Sequence, residues 1–417
     1  MNILTSVARY DAWLDAQLKG DVDRLDLAAK HKKMAEGAFQ FLRATYWRWA
    51  ETIFQVCPEL KRAPDVLAVG DIHLENYGTW RDREGRLIWG VNDFDEAAQM
   101  PYPIDLVRLA ASAMLAGVPG IERQAICHSI LAGYRTGIEN PQPFVLDRMH
   151  KALRGVAIVS DAQRKDFWTK FDPLQIEAKR KKAEAKHEVP PKRPKVRPVL
   201  SMRPRYRKAL ERAKPAADVT FDYYERTAGT GSLGRRRYFG VGHWQGDLVV
   251  REAKAIVPSG WTIAHRGARK LRCEEIACGR HRSPDPFYTL RGTVLVRRLS
   301  PNDFKIEVQE DAKKKKDKKA KAKKQKPKPA DTAAQDAHKA VGFAALVNAD
   351  VLGAMGRDLA AIHRGTPDRR KAILADLDRR KHGWLLAAAT RAAKKVEAEY
   401  RTWAAAYRKT EKADDAG

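Results

Sequence analysis

Gly70-Asp71-Ile72-His73-Leu74-Glu75-Asn76-Tyr77-Gly78 and Val91-Asn92-Asp93-Phe94-Asp95-Glu96 stand close together in the first quarter of the chain. Between them, Tyr77 to Arg81 and Arg86 to Val91 read as strands, and Asp82-Arg83-Glu84-Gly85 supplies the turn that joins them. Antiparallel pairing across that turn returns Asp93 to the level of Asn76, with roughly 5 Å between neighbouring backbones. An Asn and an Asp oxygen offered from adjacent loops make a hard, oxygen-rich pocket suited to a Mg²⁺ ion that keeps waters and phosphate oxygens. Asp71 precedes Asn76 on the same loop, where it can face a substrate hydroxyl. Asp95 and Glu96 read as a solvated acidic pair beside this centre.

Outward from this hairpin, residues 5 to 56 read as helices, with Leu27, Met34, Ala38, Phe41, Leu42, Tyr46 and Trp49 at helical intervals. Asp65 to Gly70 reads as a short buried strand entering the loop. Ile104 to Leu115 is an apolar helix, and further helices run to about Phe171. Strand signals return at Arg236 to Val241, Leu248 to Ala253 and Val294 to Leu299. Ala-rich helices fill Val341 to His363 and Arg369 to Lys409. There is no internal repeat.

The chain has 417 residues, 80 Lys+Arg against 52 Asp+Glu, and a formal charge of +28. Lys179 to Lys214 holds fifteen Lys/Arg and three Glu, and Ala312 to Ala330 eleven Lys and Asp317 alone; together these carry +22 of the excess. Five prolines between Pro190 and Pro204 suggest an extended connector in the first stretch, and the Lys-rich second stretch reads as a solvated insertion. Both are open to weak contact with polyanions or nucleic acid, through residues 179–214 and 313–328, although neither interleaves aromatics. No uncharged apolar run reaches the roughly 18 residues of a membrane span. Met1 to Trp13 lacks the order of a signal peptide. Cys57, Cys127, Cys273 and Cys278 are too scattered for a disulfide framework, so reduced thiols and a cytoplasmic location are expected.

The second half supplies Gly229-Thr230-Gly231-Ser232-Leu233-Gly234, a G-x-G-x-x-G run followed by a strand. Glycines let backbone amides approach phosphates, and a strand rather than a helix after the run disfavours a dinucleotide-binding turn. Taken alone, the run reads equally as a glycine-rich turn. On the next strand, Arg251 and Lys254 are the cations available to meet phosphates. Glu274 or Glu275, on a helix expected over Arg269 to Gly279, is available to pair with that cation, and each reads also as plain surface charge.

The Asp-x-x-x-x-Asn loop, the hairpin and the Asp-Phe motif resemble the catalytic centre of protein-kinase-like phosphotransferases, the aminoglycoside and choline kinase branch above all. The resemblance implies that Asp71 is the base or hydroxyl-orienting residue, Asn76 a metal ligand and Asp93 the principal metal ligand. It gives His73 a loop-ordering role and has Asp105 brace the catalytic loop. Gly229, Gly231, Ser232 and Gly234 would cover the phosphates, Arg251 stands where that family has lysine, and Glu275 would support the cation. The order of motifs is inverted, catalytic loop first and glycine loop second. That order, with Lys33-Met34, Asp105-Leu106-x-Arg108, Arg251-Glu252-Ala253 and Leu359-Ala360-x-x-His363, resembles the bacterial domain-of-unknown-function 2252 family.

The implied architecture is α+β: a two-lobed protein-kinase-like fold, circularly rearranged, with a large helical lobe and a smaller β-rich lobe. Residues 1–177 would carry the catalytic loop, 178–215 the basic connector, 216–310 the β-rich nucleotide lobe, 311–335 the Lys-rich insertion and 336–417 the closing helices. The implied activity is Mg-dependent transfer of the ATP γ-phosphoryl group, or of a nucleotidyl group, to a small-molecule or protein hydroxyl. Arg251 in place of lysine keeps a non-catalytic, pseudokinase-like nucleotide-binding or polyanion-binding protein as the alternative. A metal-dependent phosphoesterase built on the Asp/His/Asn cluster is the second enzymatic alternative.

Overall fold

Ile3, Val7, Tyr10, Leu14 and Leu18 recur at helical spacing and are all buried, so α1 (Ile3–Leu18) lays one face on the core. Its cap is Asn2, whose side-chain oxygen accepts from the Thr5 N–H at 2.9 Å. α2 (Arg24–Met34) is capped in the same way by Asp23, and α3 (Ala38–Ala44) and α4 (Tyr46–Val56) follow. The computed structural model of the chain describes residues 1–148, 150–185, 195–199, 201–265, 267–306 and 347–414.

Strands β1 (Asp65–Ala68), β2 (Tyr77–Arg81), β3 (Leu87–Val91) and β4 (Ala98–Pro101) lead into α5 (Pro103–Ala116). Pro103 opens that helix, where its missing N–H costs nothing, and Gly117 closes it in the left-handed conformation. Every residue of α5 from Pro103 to Met114 is buried, which makes it the central rod of the molecule. Next come α6 (Arg123–Glu139), β5 (Phe144–Val145), α7 (Lys151–Ala157), α8 (Asp161–Phe171) and α9 (Pro173–Ala185). After β6 (Val196–Pro198) and α10 (Pro204–Glu211), the chain forms β7 (Asp222–Arg226), β8 (Arg237–Trp244) and β9 (Asp247–Ala255). Short helices α11 (Trp261–Ala264) and α12 (Cys273–Ala277) precede β10 (Thr289–Arg291) and β11 (Val294–Leu299). The last helices are α13 (Ala349–His363), α14 (Arg370–Arg379) and α15 (Trp384–Asp414); α15 packs along α5.

The fold is therefore mixed α+β, with three antiparallel sheets among the described residues. β1 pairs with β4, β2–β3–β5 form a second sheet, and a six-stranded sheet runs β10-β11-β9-β8-β7-β6. One face of the large sheet joins the main core through Tyr238, Ala253 and Val296. Part of its other face, Phe239, Val241 and Val250, is covered by Phe171 of α8 with Phe167, Trp168 and Ile176 around it. From β11 the chain runs back beside β2: the Thr79 N–H donates to the Phe304 carbonyl at 2.9 Å and the Ile306 N–H to the Tyr77 carbonyl at 3.2 Å.

Several sequence expectations change here. The stretch 178–215, expected as a connector, carries the end of α9, the edge strand β6 and α10, whose Tyr206, Ala209 and Leu210 are buried. Pro198 sits on that edge strand and Pro204 at the start of α10, where a missing donor is tolerated. The helix expected over 269–279 is reduced to the single turn of α12. Residues 186–194 of the first basic stretch and the whole Lys-rich insertion lie outside the described residues. Among the described residues, no helix is long and apolar enough to cross a membrane, and the four cysteines are unbridged.

α6 and α13 cross almost backbone to backbone. A Cβ added to Gly356 would lie 2.1 Å from the Ile130 carbonyl oxygen, whereas one on Gly353 would meet the Ser129 carbonyl oxygen at an ordinary 3.6 Å. Gly356→Ala is expected to cost about 1–3 kcal/mol by overpacking and to lower the melting temperature by roughly 1–3 °C. Gly353→Ala should hold or raise it, because there only the helix-propensity gain operates. Equal melting temperatures for the two variants would contradict the close crossing.

Candidate functional site

The backbone after β1 is fixed by a carboxylate from another element. Asp105, in the first turn of α5 and fully buried, accepts from the Val69 N–H at 2.7 Å and the Gly70 N–H at 3.0 Å. The His363 ring lies 3.1 Å from the same carboxylate and 2.8 Å from the Tyr134 hydroxyl. Arg108, one turn further along α5, forms an ion pair with Asp71 and donates to the Leu42 carbonyl at 2.9 Å. Its guanidinium is wholly buried between the rings of Tyr46 and Trp49. Burial, opposed by Arg108 and reinforced by Glu96 and Asp93, pushes the Asp71 carboxyl up to about 7.

The rest of the loop is pinned locally. The Asn76 side-chain amide donates to the Asp71 carbonyl at 2.6 Å. His73 is buried edge-on to Phe39, and burial, then Arg43 and Arg108, hold its pKa well below the usual histidine range. Its Nδ1 has no hydrogen-bond partner among the described residues.

Tyr77 pairs with Val91 across the β2–β3 hairpin, and the Asn92 N–H donates to the Asn76 carbonyl at 3.0 Å. Asp93 is thereby set beside the Asn76 loop. A second buried carboxylate secures this side: Asp358 of α13 accepts from the Val91 N–H at 2.9 Å and from Arg282 at 3.0 Å. Gly90 leaves room for it, since a Cβ there would lie 2.7 Å from Asp358 Oδ1.

Lys254 of β9 reaches into the same place, 3.2 Å from Asp93 Oδ1 and 2.6 Å from Asp95 Oδ1. Burial works to raise the Asp93 carboxyl, but Lys254, Lys305 and Arg297 hold it well below the ordinary range. Asp95, more deeply buried and next to the Asp93 charge, is pushed up instead. Lys305 is exposed, and the surrounding protein and Arg297 lower its pKa.

The glycine loop closes over the centre. A Cβ on Gly231 would sit 3.2 Å from Asp71 Oδ2 and 3.1 Å from the Arg43 carbonyl oxygen. Ser232 accepts from Arg237 at 2.8 Å, and Gly234 accepts from the Asp23 N–H at 2.9 Å. The loop that follows in sequence more than 150 residues after Asp71 is thus in contact with it.

Asp71, His73, Asn76, Asp93, Asp105, the glycine loop and Lys254 are therefore brought together, while Arg251 and Glu275 are not. Strand alternation puts Arg251 on the opposite face of β9 from Lys254; there it bonds the Ala213 carbonyl at 3.2 Å and covers the Phe287 ring. Glu275 is half-exposed and pairs with Arg272 and Lys270, because the short α12 turns it outward. Asp95 and Glu96 are buried rather than solvated: Glu96 accepts from Arg235 at 2.8 Å and from the Gly260 N–H at 2.6 Å. Arg108, Lys305 and Asp358 were given no role from the sequence. Of these only Arg108, spaced one helical turn after Asp105, carried a usable signal.

Asp93 and Asn76 offer one carboxylate and one amide oxygen. No group of three His, Cys, Asp or Glu among the described residues forms a metal cage. A sparse hard-oxygen pair of this kind fits an ion that keeps waters and substrate oxygens.

The chain matches the model of a family described as an uncharacterized protein conserved in bacteria (DUF2252) over residues 23–272, and it belongs to that family. This span includes the Gly70–Gly78 loop, the hairpin, the glycine loop and Lys254. No curated protein and no solved structure matches the chain.

Proposed function

We propose that the protein is an ATP-dependent phosphotransferase of the protein-kinase-like kind, with its motif order inverted. The observation that carries this reading is the contact of the Gly229–Gly234 loop with Asp71 while Lys254, from the same sheet, holds Asp93. The six-stranded sheet then serves as the smaller lobe and the helices around α5 as the larger one. Asp93 and Asn76 would hold a magnesium ion, which neutralises phosphate oxygens when bound. Lys254 and Lys305 face the same phosphates as fixed charges, and Lys254 takes the part that the resemblance gave to Arg251.

Asp71 orients the acceptor hydroxyl. As its oxygen forms the new bond to the γ-phosphorus, the bond from that phosphorus to the bridging oxygen breaks, and its electron pair leaves on ADP. The hydroxyl proton passes to the Asp71 carboxylate and on to solvent. Arg108 keeps that carboxylate aligned, and Asp105 with His363 keeps the loop in place.

One observation favours the second reading, a non-catalytic nucleotide-binding protein: the Asp71 carboxylate is already engaged by Arg108 and overlain by Gly231. Incubating a metabolite mixture with γ-labelled ATP separates the two. Wild type is expected to yield a labelled product that Asp71→Asn fails to make, with rates differing by about a hundredfold or more. ATP·Mg binding with no labelled product from the wild type would decide for the binding protein.

A further inference from the structure

Helix α2 sends two ammonium groups to the tip of the glycine loop. Lys30, only 1% exposed, donates to the Gly231 carbonyl at 2.9 Å and lies 4.6 and 4.9 Å from the ring centres of Tyr10 and Trp47. Lys33, one turn on, donates to Thr230 Oγ1 at 3.4 Å. Neither makes an ion pair among the described residues, whereas the neighbouring Arg43 is matched by Glu75 at 2.6 Å. Lys30 therefore has one carbonyl as its hydrogen-bond acceptor, the edge of the stacked Tyr10–Trp47 pair beside it, and no carboxylate paired with it among the described residues. For Lys33, burial, then Arg43 and Lys195, lower the pKa, against weaker help from Glu36 and Glu75.

We propose that Lys30 and Lys33 form an anion subsite beside Asp71, and that the hydroxyl acceptor carries a phosphate group. This rests on the phosphotransferase reading, and it deepens that reading by naming the acceptor class. The two lysines reach Thr230 and Gly231 at the Asp71 end of the site, while Lys254 serves the Asp93 end. One ligand group is thus met at each end. Gly231 spans the gap between Lys30 and Asp71, so the acceptor's phosphate and its reacting hydroxyl would lie about one residue's width apart. The bound phosphate takes the hydrogen bonds that Gly231 and Thr230 now accept, which frees the loop tip to lift from Asp71. Lysines, as compact charges with rotatable donors, suit a tetrahedral oxyanion.

Calorimetric titration of the full chain with inorganic phosphate, in the presence of a non-hydrolysable ATP analogue and Mg²⁺, tests this. Wild type should bind phosphate with the analogue in place. Lys33→Ala and Lys30→Met should each weaken that binding about tenfold or more. Lys30→Met keeps an unbranched side chain beside the stacked Tyr10 and Trp47 rings, and Lys33 is only half-buried, so both variants should fold. Their affinity for the analogue should fall several-fold less than their affinity for phosphate, because both lysines also hold the tip of the glycine loop. No phosphate binding by wild type, phosphate binding unchanged in both variants, or a parallel loss of analogue affinity would each overturn the subsite. If wild type does not bind the analogue, the phosphotransferase reading fails, and phosphate titrated alone against the same variants still decides on the subsite.

Discussion

Glu252→Gln is expected to lower the melting temperature by about 3–6 °C, from the ~3–5 kcal/mol lost when one partner leaves a buried ion cluster in a chain of 417 residues. Glu252 is fully buried on β9 and accepts from Arg226 at 2.6 Å, Arg237 at 2.7 Å and Arg297 at 2.7 Å. Glutamine keeps the shape but leaves three guanidinium groups facing one another in a region that Lys254 and Lys305 also charge. Arg226 is the most exposed of the three, so Glu252→Gln with Arg226→Met should recover part of the loss. Burial works to raise the Glu252 carboxyl, but Arg237, Arg297, Arg226 and Lys254 hold it well below the ordinary range. A carboxyl depressed in the folded state adds stability above its unfolded pKa and loses it as pH falls through the folded value. The cluster should therefore survive mild acid. A melting temperature for Glu252→Gln within about 2 °C of wild type would refute its role as the counter-charge.

Asp93→Ala is expected to reduce ATP-dependent phosphoryl transfer by roughly a thousandfold, the scale of losing a principal electrostatic contact in a phosphoryl-transfer site. Asp93 remains about one-third exposed while Asp95, two residues on, is buried against the same ammonium. Solvent and substrate thus reach one carboxylate of the pair, and the other anchors Lys254. Because Asp95 still holds Lys254, the variant should melt near the wild-type temperature, which separates lost chemistry from lost folding. Undiminished transfer by a folded Asp93→Ala would remove Asp93 from the reaction. Phosphate-ester hydrolysis that needs no nucleotide would point to the Asp71–His73–Asn76 loop acting as a hydrolase.

What the sequence made legible is the part set by local geometry. A short turn between two strands fixes their register, so the meeting of the Asn76 and Asp93 loops could be foreseen from spacing alone. Asp105 was legible only through the resemblance, which puts an acidic residue at the start of the helix after the hairpin; its partners, the Val69 and Gly70 N–H groups, lie more than thirty residues away. The choice between Arg251 and Lys254 was not legible. Alternation puts them on opposite faces of one strand, but which face meets the site depends on how the six-stranded sheet docks. Asp95 and Glu96 looked like surface charge because their partners, Lys254 and Arg235, are more than a hundred residues away in sequence. Lys305 reaches Asp93 only because the chain crosses back beside β2, a path with no local signature.

The two arms of α13 deserve to be considered together. Asp358 grips the strand end before Asp93, and His363, a little over one turn later, grips Asp105 and through it the backbone before Asp71. A single rigid rod therefore acts as a tie-bar between the Asp71 and the Asp93 halves of the centre. Any sliding of that rod along α6 would put both halves out of alignment at once, so the geometry of the site is assembled or lost as one unit.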